Sequence, residues 1–233
     1  MNKGIGMDKA SKKHRSGIYL DFEGEGKKLG ETIPPIPHMA GVYRPSQDRT
    51  NGGKYSSYFF NDSWGPVRNG CRSDAEILSF NTFLERLINE AKSEQKTIYY
   101  WSCHELMIIE QYADPLLTEE FKRCSTNSLR IARKFANRRR IKIEETDTKG
   151  LNNFLSAIAP RLPKVKSMPL GAAESCRRLD RYCSATRKWR KWTEKQKLVA
   201  RDLLTYNYED CLALYRVTKK VINAMPPHRA SAV

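Results

Sequence analysis

The segment Gly17-Ile-Tyr-Leu-Asp-Phe-Glu-Gly24 constrains the fold of this chain more than any other stretch. Glycines frame it, and aliphatic or aromatic residues alternate with the rest, the pattern of a short buried strand. The same alternation decides where its acids go. Side chains on a strand point to opposite faces in turn, so Asp21 and Glu23 share one face, about 7 Å apart. Two carboxylates on the face of an otherwise apolar strand are unfavourable unless a cation meets them. A divalent metal is one such cation. The competing reading is a strand end at which both acids reach solvent or a nearby Arg.

Hydrophobic periodicity extends the plan along the chain. A Gly/Pro-rich loop spans 24–37, and 38–43 and 54–60 read as two further strands joined by a turn rich in Pro, Asn and Gly. Residues 74–92 predict an amphipathic helix with Ile77, Phe80, Leu84 and Leu87 on one face, capped by Ser73 with Glu76 completing the box. A fourth strand follows at 97–101 and another helix at 105–112, giving the order β-β-β-α-β-α. Residues 122–143 read as helical and carry nine Lys or Arg and no acid. A Pro/Lys connector spans 160–169, and a final helix runs over about 195–225 before Pro226-Pro227. The expected architecture is one α/β domain over 17–225, a mixed sheet flanked by helices. A basic tail at 1–16 and a short tail at 226–233 bracket it, and a basic helical insertion at 160–201 precedes the last helix.

Charge narrows the partner. The 42 Lys and Arg exceed the 26 Asp and Glu, a formal net charge of +16 with a pI near 9.7. That surplus repels itself in a compact state and predicts a polyanionic partner. Nucleic acid is favoured over an anionic membrane, because no stretch forms a basic amphipathic anchor with a clean apolar face. No run approaches the ~18 apolar residues of a membrane span, and 1–16 lacks the apolar segment of a signal peptide. The six cysteines form no Cys-x-x-Cys pair, which argues against a zinc ribbon or a disulfide framework. A cytoplasmic location is the expectation.

Two further segments carry chemistry. In Tyr206-Asn-Tyr-Glu-Asp210 the first and last residues are four apart and share a helix face. That face continues through the apolar Leu214, Val217 and Val221, so Asp210 points toward the core, where it needs a partner. The alternative is an Asp tied to a buried Arg or to a helix cap. In Thr97-Ile-Tyr-Tyr-Trp-Ser-Cys-His-Glu105 a strand leads into a turn and an acid. Glu105 is then either a site residue or a first-turn Glu favoured by the helix macrodipole. His104 reads as a surface residue.

Taken together, the Leu-Asp-Phe-Glu strand and the Tyr-x-x-x-Asp helix resemble the first and last motifs of the DEDD exonuclease superfamily, and Tyr206-Asn-x-x-Asp-Cys-x-Ala-Leu214 looks closer to one branch of it. That branch comprises ribonuclease-H-like nuclease domains of the YprB type, including those beside RecB-like nuclease and helicase modules. The resemblance covers residues 17–223 in layout and is specific in three short stretches. It implies a ribonuclease-H-like fold and a metal-dependent nuclease acting on DNA or RNA, single-stranded or at an end, as a 3'-5' exonuclease, with a possible helicase or nuclease partner. It further implies two Mg²⁺ or Mn²⁺ ions bridged by Asp21, with Glu23 and Asp210 on one side and Glu105 on the other. Tyr206 would position the attacking water. One departure stands out: related domains carry a further Asp at the head of a helix after the middle motif, where this chain has Asn127.

Basic segments suit a substrate channel. Arg187, Lys188, Arg190 and Lys191 interleave with Trp189 and Trp192, which fits phosphates on the cations and bases stacked on the indoles. The competing reading packs both indoles on the core. Arg138, Arg139 and Arg140 form a second basic run. Three other functions remain open: an inactive nucleic-acid-binding module of the same fold, an endonuclease, and an adaptor whose basic face meets an acidic protein.

Overall fold

The computed structural model describes residues 17–26, 30, 35–46, 52–70, 74–143 and 150–225; the expected tails at 1–16 and 226–233 lie outside them. The architecture is α/β, a six-stranded mixed sheet flanked by eight helices among the described residues. The strands are β1 (Gly17–Glu23), β2 (Met39–Arg44), β3 (Lys54–Phe59), β4 (Ala75–Ile77), β5 (Thr97–Tyr100) and β6 (Ser125–Asn127), in the spatial order β4-β3-β2-β1-β5-β6. β1, β2 and β3 are mutually antiparallel neighbours, whereas β5 runs parallel to β1 and β6 parallel to β5. β1 is therefore central, as its apolar composition requires.

Alternation along β1 sorts its residues between two cores. Ile18, Leu20 and Phe22 face α2 (Phe80–Ser93), α3 (Cys103–Tyr112) and α4 (Pro115–Cys124), meeting Phe80, Phe83, Leu84, Ile109 and Phe121. Tyr19 faces the other way, where α5 (Ser128–Arg139), α6 (Leu151–Ile158) and α8 (Glu194–Ala224) supply Leu129, Phe154, Leu214 and Val217. The 31-residue α8 lies across this second face, its start fixed by a Thr193–Gln196 capping box. Among the described residues no helix is long and apolar enough to cross a membrane.

Two expectations change. The helix expected from residue 74 begins at Phe80, because Ala75–Ile77 extends as an edge strand parallel to β3 and Ser79, not Ser73, accepts from the Thr82 N–H. Ser73 itself lies outside the described residues. The stretch 122–143 is interrupted by β6, which adds a strand beside β5. Within 160–201, expected as a basic helical insertion, α7 (Ala172–Ala185) puts Cys176, Leu179 and Cys183 against Met39, Phe59 and Trp64. A short helix, α1 (Gly65–Gly70), packs at the same end through Val67.

A carboxylate centre between the first strand and the last helix

Asp21 and Glu23 leave β1 on the face covered by α8, as alternation requires. What lets the helix descend onto them is the neighbouring strand. Asp21 pairs across the ladder with Gly41 of β2, and a Cβ at Gly41 would stand 1.7 Å from the Asn207 amide oxygen. Only glycine leaves room for Asn207, which is fully buried. The Asn207 amide is oriented from both ends. The Tyr55 hydroxyl donates to its Oδ1 at 2.7 Å, which turns Nδ2 toward Asp21 at 2.7 Å and Glu23 at 3.5 Å.

One helical turn on, Asp210 completes the group. Oxygens of Asp21, Glu23 and Asp210 lie mutually within 4.8 Å, and the three residues could hold a metal ion. No Lys, Arg or His among the described residues forms an ion pair with them. Burial and mutual repulsion accordingly favour their neutral forms. Burial, followed by the neighbouring Asp210 charge, pushes Glu23 up to about 8. Burial raises Asp210 to about 6, against the hydrogen bond that Tyr206 donates to it. Asp21 is raised well above the usual carboxylate range by burial and then by Glu23, to which it also hydrogen-bonds. Burial and the adjacent Asp210 hold the Tyr206 hydroxyl far above its ordinary value, so it stays a donor.

Glu105 comes close without joining the group. β5 lies beside β1, so the turn after it delivers Glu105 to the same end of the sheet, where it is buried and raises Asp21 and Glu23 through its charge. One of its carboxylate oxygens accepts from the Ser102 N–H and the Ser102 hydroxyl, each at 3.0 Å, closing a capping box at the start of α3. Glu105 thus lies beside the three acids, outside the group whose oxygens are mutually within 4.8 Å. His104 is exposed, its N–H donating to Ser102 Oγ at 3.1 Å. Asn127 caps α5, its Oδ1 accepting from the Arg130 N–H at 2.9 Å.

The base-stacking expectation is overturned for Trp192. Trp192 is 3% exposed, sits in the core with Ala200 and Leu203, and donates its indole N–H to the Thr186 carbonyl at 2.9 Å. Trp189 packs 5.1 Å from it, over Gly70, where an added Cβ would lie 2.0 Å from the indole. Trp189 is half-buried and lies on a short 3-10 turn, Trp189–Lys191, between α7 and α8. Arg187, Lys188, Arg190 and Lys191 are exposed around it. Arg138, Arg139 and Arg140 are also exposed at the end of α5, where cations suit the helix dipole and Arg140 forms a left-handed cap at φ 53°.

Sequence reasoning missed Asn207, Tyr55 and Gly41. A signal for one was present: Asn207 interrupts the apolar stripe Ala200, Leu203, Leu214, Val217 of α8, where a polar residue needs a buried partner. Comparison with known proteins finds no family model, no curated sequence and no solved structure that matches this chain.

Proposed function

We propose that this protein is a metal-dependent nuclease that hydrolyses phosphodiester bonds in DNA or RNA. The observation that carries the reading is the cluster of Asp21, Glu23 and Asp210: one buried and two half-buried carboxylates, their oxygens mutually within 4.8 Å, with no protein cation paired to them among the described residues. Such a group is unfavourable as it stands, and a divalent ion changes its sign of interaction. All-oxygen donors of this kind suit Mg²⁺ or Mn²⁺.

The layout supports the finer fold assignment. Three antiparallel strands, then parallel β5 and β6 on the other side of β1, with a last helix over the β1–β2 face, is the order of a ribonuclease-H-like domain. The two acids on the central strand and the acid on the last helix then fall where the DEDD resemblance requires them.

In this reading Asp21, Glu23 and Asp210 hold the metal, with Glu105 beside them. Two bound ions would supply a hydroxide nucleophile and stabilise the charge on the attacking and leaving oxygens. Asn207 keeps the Asp21 and Glu23 carboxylates turned inward. Tyr206, held as a hydrogen-bond donor, orients the attacking water next to Asp210. The +16 chain holds the polyanion against the repulsion of these acids.

The test is degradation of end-labelled single- and double-stranded DNA and RNA in Mg²⁺ or Mn²⁺, beside Asp21→Asn and Asp210→Asn. Cleavage that disappears in both variants and in EDTA supports the proposal. Survival of a circular single strand identifies an exonuclease, and its cutting an endonuclease.

One observation favours a second reading, a module that binds nucleic acid without cutting it: the Glu105 carboxylate is engaged with Ser102. Glu105→Gln separates the two. Glutamine keeps the capping acceptor, so folding is preserved in either case. A cleavage rate at least about tenfold lower assigns Glu105 to the reaction, as loss of a metal-site carboxylate would. Strand binding by folded native protein with no metal-dependent product establishes the second reading.

A further inference from the structure

We infer that the sugar–phosphate backbone of a single nucleic-acid strand lies in a groove between the C-terminal half of α8 and the connector after α6, and reaches the carboxylate centre from there. This deepens the proposed function and rests on its assignment of nucleic acid as substrate. The groove, about 670 Å³, is lined by Arg161, Arg216, Lys219 and Lys220, with Pro160 and Tyr215 among its walls and no acidic residue. None of its four cations is paired with a carboxylate among the described residues. The Lys219 ammonium is held at the wall by a 3.2 Å hydrogen bond to the Tyr215 hydroxyl.

The groove is a built feature of the fold. The connector is clamped to α6 by Asn152, whose amide accepts from the Val165 N–H at 2.9 Å and donates to the Val165 carbonyl at 3.2 Å. It is clamped to α8 by Glu209, which accepts from the Lys166 N–H at 3.0 Å. Glu209 is the chain neighbour of Asp210, so this clamp sits one residue from the carboxylate centre along α8. Arg216 and Lys220 follow Glu209 by seven and eleven residues, which places all three on one stripe of α8. From Asp210 to Arg216 and Lys220 is about 9 and 15 Å along the helix axis at 1.5 Å per residue. A strand in this trough has its phosphates met by Arg161, Arg216, Lys219 and Lys220 before it passes the Glu209 clamp toward the acidic centre. A recess between one helix and one connector takes a single backbone rather than the two of a duplex.

The exposed cations around Trp189 are the natural rival, and they allow a matched test. Replacing Arg161, Arg216, Lys219 and Lys220 together by Gln removes four charges from the groove. Replacing Arg187, Lys188, Arg190 and Lys191 by Gln removes the same number elsewhere. Fluorescently labelled oligo(dT) and oligo(U) are titrated by anisotropy in EDTA, where no cleavage occurs, at several salt concentrations, with thermal melts to verify folding.

For single strands each phosphate contact contributes about 0.7 to the slope of log affinity against log salt, so the groove variant is expected to lose about 3 in slope and on the order of tenfold or more in affinity. The matched variant is expected to lose about 1 or less in slope. Equal losses in both variants mean that the charge acts diffusely and overturn the inference, as does native-like binding by the groove variant or no binding by the native protein. The two proposals fail separately. Strands held through the groove but never cut with Mg²⁺ or Mn²⁺ remove the nuclease reading and leave the groove. Strands cut by a protein whose groove variant binds normally do the reverse.

Discussion

The Tyr55 hydroxyl donates to the Asn207 amide oxygen at 2.7 Å, joining β3 to α8 across 152 residues of chain. This bond fixes which end of the amide meets the acids. With Oδ1 occupied, Nδ2 must face Asp21 and Glu23, and a flipped amide would set an oxygen against two carboxylates.

Tyr55→Phe therefore leaves a buried acceptor unsatisfied and is expected to lower stability by about 1–3 kcal/mol. Asn207→Asp places a further acid in the group and is expected to do the same in EDTA at neutral pH. Added Mn²⁺ should recover more of the loss in Asn207→Asp than in Tyr55→Phe. Urea denaturation of the three proteins with and without metal checks the order. Equal recovery would show that Asn207 does not sit beside a metal site.

Gly41→Ala tests the seat of the helix. The new methyl would overlap the Asn207 amide, with Cβ 1.7 Å from Oδ1 and 2.9 Å from the Tyr55 ring. Neither neighbour is a free side-chain end, because each is tied to the other. Overpacking of this kind costs typically about 1–3 kcal/mol, and the displaced Asp210 should also weaken metal binding. Calorimetric titration of Mn²⁺ into the folded variant measures the second effect.

Stability of the metal-free protein should fall as pH rises. Glu23 is raised to about 8 and Asp210 to about 6 by burial and neighbouring charge, so the folded state binds more protons than the unfolded chain above the ordinary carboxylate range. The stabilisation is complete below the unfolded values near about 4. It is lost through about 6 for Asp210 and about 8 for Glu23. Bound Mg²⁺ or Mn²⁺ competes with those protons, so its stabilising effect should grow over the same window. Thermal melts from pH 5 to 8.5 in EDTA and in Mn²⁺ read both slopes, and Glu23→Gln should flatten the upper part of the EDTA curve.

Trp192 should matter to stability and not to strand binding. Its indole is 3% exposed and its N–H is bonded to Thr186. Trp192→Ala is expected to lower stability by about 3–5 kcal/mol. In conditions where it remains folded, its affinity for oligo(dT) should stay within about twofold of native, since a stacked base would be worth ~1–3 kcal/mol. A larger loss, measured by anisotropy, would return the indole to the binding surface.

What the sequence determined by itself was local and periodic. Backbone geometry alone puts Asp21 and Glu23 on one face of β1 and Tyr206 and Asp210 on one face of α8, because a strand repeats every two residues and a helix every 3.6. The same logic located β1, β2, β3, β5 and the last helix closely. It misplaced the start of α2, because Ala75–Ile77 pairs with β3, a contact that no local pattern announces. Whether the two pairs of side chains meet was a tertiary matter. Their convergence depends on α8 settling over β1 and β2, which needs the missing side chain of Gly41 and the Tyr55 bond to Asn207. Packing also decided the residues for which the sequence allowed two readings: it turned Trp192 into the core, gave Glu105 to the Ser102 cap and kept it beside the acids. Periodicity says which way a side chain leaves its own backbone; what it meets there is set by elements far away in the chain.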